Sequence, residues 1–176
     1  MRVLLDTTVL CGALVQPNSI NFKLLMLAKG PFFDPIISEV VVYEFINKCR
    51  AGIKGRQFSE EDLDDFWAVI APLLEPENIE RISIGRRYAG DVKFFGKPIE
   101  QVIHEITQRR SSDLLDIARA SGLKYQDIDP YDLHLLVAAI EHDCDCICTS
   151  NTKDLPSTIG RAIVVKPGKL YRRLTE

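Results

Sequence analysis

Four acidic residues stand in stretches where folding alone has little use for charge. Asp6 closes the apolar run Val3-Leu4-Leu5, and Glu44 sits inside Val40-Val41-Val42-Tyr43-Glu44-Phe45-Ile46. Asp132 opens a nearly uncharged stretch from Leu133 to Ile140, and Asp154 follows Cys146-Ile147-Cys148-Thr149. A buried, unpaired carboxylate is costly or takes up a proton. Carboxylates that converge repel one another, and a divalent cation removes that repulsion. Mg2+ and Mn2+ favour oxygen ligands and keep waters and phosphate oxygens in their shell. The chemistry these residues suggest is metal-dependent hydrolysis.

Each acid also has a purely structural use. Asp6 could cap the turn that follows it. Glu44 lies four residues before Lys48, a helical ion-pair spacing worth about 0.2–0.5 kcal/mol. Asp132 follows Asp129 in a first turn, where acids favour the helix dipole. Asp154, in Lys153-Asp154-Leu155-Pro156, suits a turn. One shared site accounts for all four together, because the elements bring them toward one edge.

Those elements alternate. Strands are expected over 2–5, 32–37, 79–84, 145–149 and 162–165. Helices are expected over 7–14, 21–29, 39–50, 60–74, 99–109, 112–121, 130–143 and 167–174. Ser38 is a candidate N-cap, Ser59 and Asp62 resemble a capping box, and Asp129-Pro130 supplies an N-cap with proline behind it. Strands alternating with helices predict an α/β fold, a mainly parallel sheet of about four to five strands covered on both faces. In such sheets ligands bind at the carboxyl ends of the strands. Asp6 ends one strand. Thr149, Ser150 and Asn151 end another. Asp132 opens the helix leading into the latter, and Glu44 lies in the second turn of the helix that Ser38 caps.

With 176 residues, 46% hydrophobic and 27% charged, the chain reads as one domain over 1–176 with a substantial core. A helical insertion is expected at about 85–111. No apolar run approaches a membrane span. An acid as early as position 6 argues against a secretory leader, so a cytoplasmic protein is expected. A net charge of −3 gives nucleic acid no bulk attraction, which leaves local clusters. These are Lys48, Arg50, Lys54 and Arg56; Arg86-Arg87; Arg109-Arg110; and Lys166, Lys169, Arg172 and Arg173. The five cysteines are odd in number, and Cys144, Cys146 and Cys148 lack the second ligand pair of a zinc site. They are read as small buried hydrophobes. His104, His134 and His142 have no metal-ligand spacing, and none is assigned to catalysis.

Several segments together resemble the PIN-domain nucleases, especially VapC-like toxins of toxin–antitoxin pairs. They are Val3 through Leu10, Ile37 through Phe45, Asp129-Pro130-Tyr131-Asp132 through Ala139, Ile147 through Leu155, and Ile163 through Pro167. The resemblance implies a three-layer α/β/α sandwich and Mg2+- or Mn2+-dependent hydrolysis of phosphodiesters, usually in RNA. It makes Asp6, Glu44 and Asp132 the metal-binding acids. Many members carry a fourth acid two residues after the threonine, where this chain has Asn151. Asp154 is then the nearest acidic substitute, with Thr149 and Asn151 as contacts to water or phosphate. The expected partners are an RNA substrate, a small antitoxin and a second copy of the chain, with no membrane. Two rivals follow from the residues. One is a PIN-like module that binds RNA or protein without cutting, favoured by Asn151. The other uses Asp6 as a phosphorylated nucleophile, disfavoured by Thr8 where a second acid would stand.

Overall fold

The computed structural model describes residues 1–74, 97–124 and 128–176. The strand expected over 79–84 and the Arg86-Arg87 pair lie outside them.

Val3, Leu4, Leu5, Ile147 and Cys148 are wholly shielded from solvent, as strands covered on both faces require. They belong to β1 (Arg2–Leu5) and β3 (Cys146–Cys148), the middle of a five-stranded sheet of order β2-β1-β3-β5-β4. β2 (Asp34–Ile36), β1, β3 and β5 (Ala162–Val165) are parallel. β4 (Thr158–Ile159) pairs antiparallel with β5 through the two-residue Gly160-Arg161 turn. Gly160 has φ +54°, which a residue without Cβ adopts at little cost. The sequence reading did not include β4; two residues are too few for an alternating pattern to register.

Helices cover both faces, giving the three-layer α/β/α sandwich. α1 (Thr7–Val15) packs on α2 (Ile20–Ala28) and on α3 (Glu39–Ala51), and α2 packs on the terminal α8 (Pro167–Thr175). α6 (Ser111–Ala120) packs on α7 (Leu133–Glu141), which touches β1 and β4. α7 is buried from Leu133 through Ala139, so its near-total lack of charge is a packing requirement. α5 (Ile99–Thr107) spans from α3 to the 3-10 turn Pro130–Asp132 ahead of α7.

The expected caps form. Ser38 Oγ accepts from Val41 N at 3.4 Å, and Asp129 Oδ1 accepts from Tyr131 N at 3.0 Å. Ser59 and Asp62 close a reciprocal box at 3.1 and 3.0 Å. Several boundaries move. α4 (Glu60–Ile70) ends sooner than the expected 74 and tightens into the 3-10 turn Ala71–Leu74, because Pro72 has no N–H to donate. The helix expected from 130 starts as a 3-10 turn and becomes α-helical at Leu133. β2 is shorter than the expected 32–37. All five cysteines are free and buried, as expected.

Candidate active site

The chain leaves β1 toward β2 on one side and returns to β3 on the other. The order therefore reverses between β1 and β3, and a parallel sheet opens a crevice outside the carboxyl ends at such a point. Asp6 and Thr149 stand there. The ladder extends one residue beyond each strand: Asp6 N donates to Cys148 O at 3.1 Å, and Thr149 N donates to Val165 O at 3.0 Å. Leu5 pairs with Cys148, so the two side chains that follow are neighbours.

Asp6 occupies the N-cap position of α1, yet its carboxylate makes no cap bond. It accepts instead from Thr149 Oγ1 at 2.6 Å and from Thr8 Oγ1 at 2.7 Å, both at Oδ2. Oδ1 receives no hydrogen bond from the described side chains. The Thr149 hydroxyl also accepts from Asn151 N at 2.9 Å, and the Thr8 hydroxyl accepts from Ser150 N at 3.0 Å. The loop after β3 is thus tied to the start of α1 by hydroxyls centred on one carboxylate oxygen.

Glu44 is saturated differently. Lys48 Nζ donates to its Oε1 at 2.6 Å, the ion pair its spacing allowed. Thr7 Oγ1 donates to its Oε2 at 2.5 Å. Burial opposes ionisation, but the Lys48 ammonium, and then the Thr7 hydroxyl, hold the Glu44 carboxyl below its ordinary range.

Asp132 begins α7 and, like Asp6, makes no cap bond. No hydrogen bond to its carboxyl is formed among the described residues. Burial first, then the charges of Asp129, Asp6, Glu44 and Asp154, push it up to about 6.

These three acids line one cavity of about 430 Å3, a volume typical of ligand sites. Thr8, Thr149 and Asn151 share the wall, as expected of the last two. Asp154 is exposed and off that wall, where Leu155 stands in its place; its charge reaches Asp132 but its side chain does not line the site. Asn47, Lys48, Tyr131, His134 and Ile99 also line it; the sequence placed none of them at the site, naming Lys48 only as the ion-pair partner of Glu44 and as part of a basic cluster. The signal was present for most. Asn47 and Lys48 follow Glu44 by three and four residues, hence share its helix face, and Tyr131 and His134 flank Asp132. His134 is buried with an unpartnered Nδ1, and burial keeps its pKa low despite the charges of Glu44 and Asp6.

Three members of the basic clusters have partners away from the cavity. Arg109 pairs with Glu141 at 2.6 Å, Arg110 with Asp113 at 3.6 Å, and Arg56 lies over the Phe58 ring at 4.9 Å. No described helix is long and apolar enough to cross a membrane.

An acid-lined crevice at the switch point of a doubly covered parallel sheet defines a three-layer α/β/α protein with an acidic ligand site. The chain belongs to the PIN-domain family: the PIN domain profile matches residues 2–153. The match spans Asp6, Glu44, Asp132, Thr149 and Asn151 and stops before β4 and β5. PIN domains are generally nucleases and typically bind divalent metals. No curated protein matches the chain.

The donors suit a hard cation, being carboxylates and hydroxyls. Their spacing is open: among the described residues no three His, Cys, Asp or Glu side chains close to metal-holding distance. Among the described residues Asp6 Oδ1 and the Asp132 carboxyl receive no hydrogen bond, whereas Glu44 is held by Lys48 and Thr7.

Proposed function

We propose that this PIN domain is a Mg2+- or Mn2+-dependent endoribonuclease acting on single-stranded RNA, with a single active domain over 1–176. The observation that carries the reading is the convergence of Asp6, Glu44 and Asp132 on one cavity. Two of these acids decline the capping bonds open to them, and Asp132 is pushed toward protonation by burial first and then by the charges around it.

A divalent ion at such a site supplies an activated water and neutralises charge at phosphorus. Asp6 and Asp132 would hold it, with Glu44 binding directly or through water. Thr8 and Thr149 fix the Asp6 carboxylate by donating to Oδ2, which orients Oδ1. Thr149 is itself immobilised, because its hydroxyl accepts from Asn151 N while its own backbone N–H completes the sheet. Asn151 places an uncharged amide on the wall where many relatives have an acid, so the fourth ligand position is neutral and suits a water or phosphate oxygen. Asp154, off the wall, adds negative charge at a distance.

The resemblance to VapC-like toxins supports a role as the toxin of a toxin–antitoxin pair, cytoplasmic, homodimeric and restrained by a small antitoxin. The Glu44–Lys48 ion pair and Asn151 favour a second reading, a PIN-like module that binds RNA or protein without cutting. Asp6→Asn keeps the size and hydroxyl contacts of the residue and removes its charge. Cleavage of single-stranded RNA in Mg2+ or Mn2+ should fall by about a thousandfold or more while the melting temperature is kept. Full activity of that variant in metal-depleted buffer would overturn the assignment, and calorimetry showing no Mn2+ binding to the wild type would favour the non-cutting module.

A further inference from the structure

The acidic cavity has an aromatic at its rim that hydrolysis itself does not require. Tyr131 is 44% exposed, immediately precedes Asp132, and lines the same cavity as the three acids. It is held without being buried. Its backbone N–H donates to Asp129 Oδ1 at 3.0 Å, and the nearby charge of Glu100 on α5 raises its phenol above the ordinary range. Pro130 fixes the backbone just ahead of it. α5 also brings Ile99 into the cavity wall. An aromatic ring kept at the surface in a fixed place, beside a site for a phosphodiester, has the form of a stacking surface for an unpaired base.

We propose that Tyr131 is a base-stacking platform, with Ile99 as apolar support in the same wall, that holds one unpaired nucleobase of single-stranded RNA beside the carboxylates. The proposal rests on the ribonuclease reading above. It assigns α5, from the segment to which sequence gave no role, to substrate binding: α5 packs against the turn that carries Tyr131, and Ile99 supplies apolar surface. Stacking requires only a base face, so the platform selects unpaired nucleotides over duplex and tolerates any base.

The test is the affinity of a short fluorescently labelled single-stranded RNA, measured by anisotropy with Ca2+ in place of Mg2+. Wild type, Tyr131→Ala and Tyr131→Phe are compared on intact RNA and on a set of RNAs each lacking one base. Tyr131→Ala should weaken binding to intact RNA roughly five- to a hundredfold, the usual contribution of one stacked base. Tyr131→Phe should stay near wild type. One abasic RNA should lose the same factor with the wild type and nothing further with Tyr131→Ala, which also shows that the alanine variant is folded. Equal binding of intact RNA by wild type and Tyr131→Ala, while Asp6→Asn has lost cleavage, overturns the platform alone. The same holds if Tyr131→Ala loses an equal factor on every abasic RNA. A wild type that neither binds nor cleaves RNA overturns the ribonuclease reading and the platform with it.

Discussion

Replacing Asp132 with asparagine removes one negative charge from a cavity that also holds Asp6 and Glu44, and it leaves the shape unchanged. Burial and four neighbouring carboxylates raise this group from an ordinary 3.8 to about 6. At 1.36 kcal/mol for each pH unit, the gap corresponds to about 3 kcal/mol against the ionised form. Asp132 is only partly buried, and solvent screening reduces the expected effect to about 1–2 kcal/mol. Below the ordinary value, folded and unfolded chains both carry the proton and there is no penalty. As pH rises toward 6 the unfolded chain loses the proton first, so folded stability declines; above about 6 both states are ionised and the full penalty persists. Asp132→Asn should therefore be more stable than the wild type by about 1–2 kcal/mol near pH 8. That gain should vanish near pH 4. Urea denaturation in chelator at the two pH values measures both quantities. Saturating Mn2+ should stabilise the wild type by mass action and the variant much less. A variant less stable than the wild type near pH 8, or a gain that is the same at both pH values, would refute the electrostatic reasoning.

Two further expectations test the surroundings of the site. Lys48→Met should lower stability by about 1 kcal/mol or less, the range of a part-exposed ion pair, and should tighten Mn2+ binding several-fold in calorimetry because Glu44 loses its competing cation; weaker binding would count against that. The native thiols should resist a disulfide reagent until the chain unfolds, since burial raises Cys11 and Cys146 to about 11 and Cys49 and Cys144 to about 12; rapid labelling of a native cysteine would contradict the packing.

The features that sequence revealed are those whose physics is local. Ser38, the Ser59–Asp62 box and Asp129 act within three residues of themselves, and all form as expected. The buried strand at Val3-Leu4-Leu5 and the apolar α7 announced themselves by lacking charge. The limits lie where distant segments decide. Asp154 looked like the substitute fourth acid by its distance along the chain, yet the loop after β3 turns Asn151 and Leu155 to the cavity instead. That the Thr149 hydroxyl meets Asp6 depends on the register of β1 against β3, and no local pattern encodes that pairing. Tyr131 carried no role of its own in the sequence, because its place on the cavity wall beside Ile99 depends on the packing of α5 against its turn.

The three acids of the cavity are accommodated in three different ways, and the difference bears on function. Asp6 is stabilised by two donated hydroxyl bonds, Glu44 by an ammonium and a hydroxyl, and Asp132 by readiness to take a proton. A site selected for stability alone would replace at least one of them with an amide or an apolar side chain, because charge pairs in partly buried positions add little and lone charges cost much. Each compensation here is also one that a dication can displace. A proton leaves Asp132 above about pH 6, Lys48 is half exposed and can swing to solvent, and the hydroxyls on Asp6 occupy only one of its oxygens. On the metal-dependent function proposed for this chain, the cavity holds negative charge in reserve for a cation, with Lys48 and a proton as its substitutes.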